Sequence, residues 1–384
     1  MPGYEVIGKK EKENIIQIFE KSNGVLFRHG FDNIRNNNFI TEKFEKKFAQ
    51  KFNTKYALAV SSGTAALRIA IAALEIPKNS EIISQSFTFV ATVEAIVESG
   101  CVPICTDIDD SLNMCVKDLE KKITKKTKAI IIVHMLGHSA NLEEIKKICK
   151  KYNIFLIEDT AWGIGGKYKK KYLGTVGDIG TFSFDFAKTI TTGEGGMCVF
   201  KKKAHYQKAK AWHDHGHENN PRLPRWEDSR SSSGFNFRIT ELQSSIGLAQ
   251  LEKFNNIFKM HAKNKLRIQS IFKKFNKINF RKTFKNTESA SEAFIFSLKN
   301  KNQALKFREE LLKAGISTKI LPEAMKWHFA LYWTHIKEIK KNKSRYKKSY
   351  DILSKCVSIP IFYYMDEIFF KKIELVASKI LNEK

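Results

Sequence analysis

Between Gly180 and Val199 the chain reads GTFSFDFAKTITTGEGGMCV, and the side chain in it that could do chemistry is Lys188. Thr181, Phe182, Ser183 and Phe184 alternate small polar with aromatic residues, as a half-buried strand does. Lys188 follows among Phe186, Ala187 and Ile190, with a GEGG turn after it. A lysine so placed either snorkels from a sheet edge to water or is an amine whose pKa is lowered by desolvation, able to attack a carbonyl and form a Schiff base. Its company favours the second reading. Asp159 ends the apolar run IFLIED, where a carboxylate needs a partner; the alternative is a helix N-cap before Thr160 and Ala161. At Ser61-Ser62-Gly63-Thr64 an apolar run breaks and an Ala/Leu/Ile-rich helix begins. Free backbone N–H groups at such a junction suit a phosphate, although neither GxxxxGK nor GxGxxG is present. Together Gly63, Thr64 and Ala65 with Ser183 form an anion cradle, Phe89 offers a ring for stacking, Asp159 a carboxylate and Lys188 an amine. That set matches pyridoxal phosphate, whose phosphate needs donors and whose ring nitrogen needs a carboxylate to stay protonated.

The elements that must position these residues follow from periodicity. Tyr56–Val60, the run around EIISQ, CVPICTDID, AIIIVHMLG and IFLIED read as short strands, the last two continuously apolar, with helices between them. Strands buried on both faces and alternating with helices mean a parallel sheet. Chemistry gathers at the C-terminal ends of such strands, and His134, His138, Asp159 and Lys188 fall at or just beyond them. Ahead of the sheet come two helices (Glu11 to Lys21 and Thr41 to Phe52) flanking FRHGFDNIRNNNF, which is either a packed loop or a wall of a site. After it, helices over Lys259 to Phe275 and Asn302 to Ala314 and a strand in AFIFSLK suggest a smaller α+β domain. Leu321 to His328 is expected to face the cofactor. The expected division is residues 1–255 for the large domain and 256–384 for the small one.

Composition sets limits. At 384 residues and 42% hydrophobic the chain can bury a large core. No apolar run is long enough to span a bilayer and MPGYEVIGKKEKEN lacks a signal peptide's apolar stretch, so a cytoplasmic protein with no membrane partner is expected. The six cysteines sit singly, which is neither a disulfide framework nor a metal pattern. The net charge is +27, but of 67 basic residues 11 are arginines and 56 are lysines spread along the chain. Nucleic-acid binders usually show arginines and a basic stripe interleaved with aromatics. Here the aromatics alternate inside strands, so no nucleic-acid partner is expected and the field serves at most to attract an anionic substrate.

The motifs SSGTAAL, FTFVAT, IEDTA, FSFDFAKTITTGEGG and GFNFRITELQSSIGLAQL resemble the DegT/DnrJ/StrS group of sugar aminotransferases. That resemblance implies an aspartate-aminotransferase-like fold (fold type I): a large domain on a mostly parallel central sheet and a smaller α+β domain. By it Lys188 is the Schiff-base lysine, Asp159 the ring-nitrogen partner, Ser183 and Thr64 phosphate ligands and Phe89 the stacking ring. Asn236 would reach the phosphate of a neighbouring subunit, which implies a homodimer with shared active sites. Trp162 stands where the group usually has Gln or His, and an indole could reach the cofactor's ring oxygen only through its N–H.

A narrower resemblance concerns the substrate. MPGYEVIG, FRHGFDNIRN, WHDHGHEN and KWHF look like the branch that transaminates 3,8-dideoxy-8-oxo-octulosonate for lipopolysaccharide. A carboxylated sugar without a nucleotide calls for cationic and aromatic ligands, for which Arg28, His215, His217, Arg238 and His328 are the candidates. Each could equally be a surface or fold-stabilising residue. His213, His215 and His217 alternate, but without cysteines or a helical HxxxH spacing no metal is expected. The expected function is transfer of an amino group from an amino acid, L-glutamate in the first place, to a keto or aldehyde sugar. The alternatives are a nucleotide-linked 4-keto-6-deoxyhexose as acceptor and, more remotely, a non-catalytic nucleic-acid-binding protein.

Overall fold

Six strands of the central sheet run in one direction, so their C-terminal ends share one edge, and the functional side chains emerge there. The structure, a computed structural model, describes residues 3–220, 222–340 and 346–382. Two helices open it, α1 (Lys9–Ser22) and α2 (Ile40–Lys51). Strands and helices then alternate through β1 (Tyr56–Val60), α3 (Gly63–Ala73), β2 (Glu81–Gln85), α4 (Ala91–Val97) and β3 (Val102–Thr106). The alternation continues with α5 (Val116–Lys122), β4 (Thr127–Val133), α6 (Leu142–Tyr152) and β5 (Phe155–Asp159). The short β6 (Lys167–Tyr168) and β7 (Lys171–Tyr172) lead to β8 (Ile179–Ser183), β9 (Gly196–Phe200) and α7 (Lys203–Trp212).

The sheet order is β1-β9-β8-β5-β4-β2-β3. The pairs from β8 through β3 are parallel, and β9 alone runs against its neighbours. Burial explains the pattern: Ile130 to Val133 of β4 are essentially inaccessible, as strands covered by helices on both faces must be. On one face Leu58, Val60 and Ile131 pack with Ala66, Leu67 and Ile69 of α3. On the other, Phe182, Phe184 and Met197 pack with Phe44 and Phe48 of α2.

The long α8 (Glu241–Phe272) then carries the chain to the C-terminal part. There β10 (Asn279–Phe280), β12 (Ala293–Ser297) and β13 (Cys356–Pro360) form an antiparallel sheet, while β11 (Thr287–Glu288) joins β6 and β7. The helices of this part are α9 (Lys301–Lys313), α10 (Met325–His328), α11 (Lys337–Lys340), α12 (Lys347–Leu353) and α13 (Glu367–Leu381). Phe272, Phe294, Phe296 and Phe307 form its core with Ile373 of α13.

The structure is the α/β arrangement that the sequence implied, with two differences. The division expected at 255/256 falls inside α8, one uninterrupted helix whose start is spelled by a capping box: Thr240 Oγ1 accepts from Gln243 N, and the Gln243 side chain accepts from Thr240 N. An apolar cluster also bridges the two parts, joining Phe87, Val133 and Trp162 to Ile295, Leu321, Phe329 and Trp333.

No residue of the segment FRHGFDNIRNNNF lines the cavity at the strand ends of this chain, and its two arginines are buried. Arg35 is fully buried with its Nη2 2.9 Å from Glu241 Oε2. Glu241 also accepts from the N–H groups of Ile40 at 2.6 Å and Thr41 at 3.1 Å. The residue before α2 is Phe39, which gives no side-chain cap, so the first residue of α8 satisfies orphan donors at the start of α2. Of the opening MPGYEVIG, Met1 and Pro2 lie outside the described residues.

Candidate active site

A cavity of about 380 Å³ opens at the C-terminal ends of the parallel strands. It is lined from β1 and α3 by Ser62, Gly63 and Thr64, from the turn after β2 by Thr88 and Phe89, from β5 by Asp159 and Trp162, from β8 by Ser183 and Lys188, and from α10 by His328. The sequence-derived candidates Lys188, Asp159, Gly63, Thr64, Phe89, Trp162, Ser183 and His328 therefore meet in one place.

The cradle is built from a close approach. Gly63 begins α3, and a Cβ on it would sit 2.8 Å from Ser183 Cβ; only glycine lets the helix start lie against the end of β8. Ser62 caps α3 by accepting from Ala65 N at 3.0 Å. This corrects one expectation: the Ala65 N–H is already used, and Ala65 is not among the lining residues. The N–H groups of Gly63 and Thr64, at the first positions of the helix, have no intrahelical acceptor and share this end of the cavity with the hydroxyls of Thr64 and Ser183, a cluster of donors of the kind that suits an anion.

Asp159 ends β5 and is buried. No helix follows it; its Oδ1 accepts from Ala161 N at 3.1 Å in a turn, and its Oδ2 from Thr92 Oγ1 at 2.8 Å. Thr92 is positioned in turn by Thr88, 2.8 Å away. Burial pushes the Asp159 carboxyl above its ordinary value, against the pull of Thr92, Ala161 and the Lys188 charge. A buried carboxylate held by donors on one side and open to a cavity on the other is suited to a cationic N–H of a ligand.

Lys188 is 8% exposed and among the described residues forms no ion pair. Its Nζ lies over the Trp162 ring, 3.2 Å from the centroid, where the negative face of the indole meets a cation. Burial pushes its pKa down to about 8; the neighbouring Lys319 adds to that and Glu292 opposes it. Lys319 also lies over the Trp162 ring, 4.7 Å from its centroid, and is tied to Glu292 at 2.6 Å in a buried pair. Thr189, next to Lys188, donates to Glu292 as well. Trp162, Lys319 and Glu292 thus set the electrostatics of the lysine. The last two carry no local sequence signal, because the contact joins β5, the end of β8 and the C-terminal part.

His328 completes the wall. Its Nδ1 lies 2.9 Å from Ala324 O, so Nδ1–H donates and Nε2 is left as an acceptor. Burial, together with the Lys188 charge, pushes its pKa down to about 4. The ring sits 5.3 Å from Phe89, and Phe89 stacks on Trp327 at 6.2 Å. The strand-end His134 faces away from this chemistry: Nε2 is 2.9 Å from Glu158 Oε2, and Nδ1 accepts from Ala140 N at 3.1 Å.

The other substrate-ligand candidates are placed elsewhere, each for a physical reason. Arg28 is buried, donating to Glu45 at 2.6 Å and to Ala59 O at 2.8 Å. Arg238 donates to the fully buried Asp214, which Arg225 also holds with two hydrogen bonds. The fork expected to grip a substrate carboxylate is therefore spent on a protein carboxylate. His217 is buried, 3.2 Å from Asp228, and His215 is exposed at a positive φ of 55°. His213 is buried on Lys210 O, so the three alternating histidines diverge. Asn236 is exposed and does not line this chain's cavity.

The residues fit pyridoxal phosphate: a donor cluster that a Cβ at Gly63 would spoil, an amine with no ion pair among the described residues, and a carboxylate that lines the cavity. The comparisons with known proteins agree with the fold. The family described as DegT/DnrJ/EryC1/StrS aminotransferase matches residues 32–378. GDP-perosamine synthase of Escherichia coli O157:H7 is 44% identical over 238 residues, 62% of this chain and 63% of that protein. The chain spans somewhat less than two thirds of the length of the curated relatives it matches first. An aminotransferase from Psychrobacter cryohalolentis superposes with a TM-score of 0.86 at 22% identity, covering 99% of this chain and 98% of its own. Helicobacter pylori PseC, an aminotransferase of pseudaminic acid biosynthesis, superposes with a TM-score of 0.84 at 25% identity, covering 98% and 97%. No helix among the described residues is long and apolar enough to cross a membrane.

The site makes a prediction about charge. Because Lys188 is a cation whose pKa is lowered, its neutral, nucleophilic form should appear as pH rises through about 8, well below the ordinary lysine value. Lys319→Met removes one cation from the Trp162 ring and leaves Glu292 facing Lys188. The midpoint of pH-dependent acylation of Lys188, followed by peptide mass spectrometry, should then move upward. An unchanged or lower midpoint would mean that Lys319 does not act on Lys188.

Proposed function

The chain belongs to the DegT/DnrJ/EryC1/StrS aminotransferase family, and on that premise we propose that it is a pyridoxal-phosphate-dependent sugar aminotransferase. The observation that carries the reading is the placement of Lys188 and Asp159 at the ends of β8 and β5, in one cavity with the cradle of Gly63, Thr64 and Ser183. When bound, pyridoxal phosphate supplies an aldehyde carbon and a ring that draws electrons from the carbon bearing the transferred nitrogen. The N–H groups of Gly63 and Thr64 and the hydroxyls of Thr64 and Ser183 would hold its phosphate, Phe89 its ring face and Asp159 its ring nitrogen.

The remaining steps belong to the chain's own side chains. Lys188, with an amine that is neutral in a sizeable fraction near pH 8, supplies the nucleophile at Nζ. With the cofactor held as above, Nζ would be the group placed to take a proton from the carbon bearing the transferred nitrogen and to return it, acting as general base and then general acid. Trp162 holds Nζ over its ring between these transfers, and burial limits competing protonation by water. The bonds from Thr92 and Ala161 favour the carboxylate form of Asp159 against burial, and in that form it would keep the ring nitrogen protonated. Asn236 is exposed on the loop before α8, and its reaching the phosphate of a second copy of the chain, in a homodimer with shared sites, is part of the proposal.

On the acceptor, two observations favour different sugars. A relative named for GDP-perosamine synthesis at 44% identity favours a nucleotide-linked 4-keto-6-deoxyhexose. The KWHF segment, which delivers His328 into the cavity against Phe89, favours the free 8-oxo-octulosonate, with L-glutamate as donor in both cases. The commitment of Arg28 and Arg238 to Glu45 and Asp214 removes two of the cations that a sugar carboxylate would need from the same chain.

Two outcomes test this reading. Asp159→Asn should slow donor Cα–H exchange at least about a hundredfold, the scale of one electrostatic or proton-transfer element, with cofactor retention little changed; a near-normal rate would reduce Asp159 to a turn-capping residue. With L-glutamate alone, protein loaded with pyridoxal phosphate should release no more than about one equivalent of 2-oxoglutarate per site, and should turn over beyond that only when a keto or aldehyde sugar is added. Mass spectrometry of the aminated product separates the two acceptors, and no turnover with either class would remove the sugar reading.

A further inference from the structure

Away from the Lys188 cavity, a guanidinium is buried without a counter-charge. Arg281 follows β10 and is 9% exposed. Its Nε donates to Ser111 O at 2.6 Å, which fixes it against the loop after β3. Nη1 and Nη2 are buried and have no hydrogen-bond partner among the described residues. Asp109 acts on it only at longer range, its Oδ1 being taken by Ser111 N at 2.9 Å and the Ser111 hydroxyl. A second cation lies close by. Lys265 Nζ is 2.8 Å from Ser289 Oγ and 3.1 Å from His138 Nε2, both uncharged partners, and after burial the charge of Arg281 is what depresses its pKa most, to about 7.

Leaving the N–H groups of a guanidinium unpaired inside a protein is strongly unfavourable, so such a group implies an acceptor that the chain itself does not supply. Arg281 lines a cavity of about 560 Å³ that shares no residue with the Lys188 cavity. Lys282, Lys348 and Lys355 line it too, against the carboxylates of Asp110 and Asp351, and Phe280 gives it an apolar wall. Four cationic side chains against two carboxylates leave the cavity positive.

We propose that this cavity, between the loop after β3 and the sheet of β10, β12 and β13, is a second binding site for a phosphate group, with the Arg281 fork as its anchor. A planar fork whose Nη1–Nη2 edge is free matches a tetrahedral oxyanion in bidentate fashion, and the surrounding lysines suit a dianion better than a single carboxylate. The phosphate comes either free or as the monoester of a small metabolite, whose organic part would lie along Phe280. The inference does not depend on the aminotransferase reading.

The test is calorimetric titration of the full chain loaded with pyridoxal phosphate, so that the cradle at Gly63 is already filled, with inorganic phosphate and separately with glycerol 3-phosphate. One saturable site per chain is expected, weakened at least about tenfold in Arg281→Gln, the effect of losing a charge-assisted hydrogen bond. The double variant Lys348→Met/Lys355→Met, confined to less buried positions, should bind at least about fivefold more weakly even if Arg281→Gln fails to fold. The cofactor's absorption spectrum should not change in either variant. Tighter binding of the monoester assigns the site to a metabolite, and equal or tighter binding of inorganic phosphate assigns it to the free ion. Absence of saturable binding by wild-type protein, or equal affinity in the variants, would overturn the proposal.

Discussion

An ammonium group in a protein interior is stable only if something replaces the water it has lost. For Lys188 that replacement is not a carboxylate of its own but the face of Trp162, with the Lys319–Glu292 pair behind it. The arrangement leaves the amine poorly compensated and its pKa low, which is the state a nucleophile requires. A carboxylate bonded directly to Nζ would make the protein more comfortable and the amine useless. The rest of the site follows from keeping Lys188 there: β8 must end against the start of α3, which demands Gly63 opposite Ser183, and β5 must present Asp159 in register with Thr181 of β8, with Trp162 in the turn that follows.

The cavity is closed by residues from both parts of the chain. Trp162, Val133 and Phe87 of the central sheet share one apolar cluster with Leu321, Phe329 and Trp333, so the position of His328 over the cavity is set by core packing. Burial of large aromatic and aliphatic groups across that seam, at about 25 cal/mol per Å² of apolar surface, makes the two parts a single packed unit around the site.

What the sequence revealed and concealed follows from the range of the contacts. Lys188, Asp159, Gly63 and Ser183 were legible because each sits where a strand ends, and the local alternation of residue types announces strand ends. Arg28 and Arg238 read as free cations because their partners, Glu45 and Asp214, lie 17 and 24 residues away with no periodic pattern to connect them. Lys319 and Glu292 were invisible for the same reason. Ala65 was placed in the cradle because a glycine-containing strand-to-helix junction suggests several free N–H groups, but the Ser62 hydroxyl had claimed that one. The beginning of α8 could have been read from Thr240 and Gln243, and with it the unbroken helix across the expected domain division.

The role of Lys188 is open to one direct measurement. Protein loaded with pyridoxal phosphate is reduced with borohydride, digested, and its peptides are weighed. The expected result is a single stable cofactor adduct on the peptide containing Lys188, absent from a Lys188→Ala variant that remains folded by circular dichroism. An adduct on Lys319 or on another lysine, or cofactor retained but never covalently trapped, would contradict the assignment of Lys188 as the amine around which this site is built.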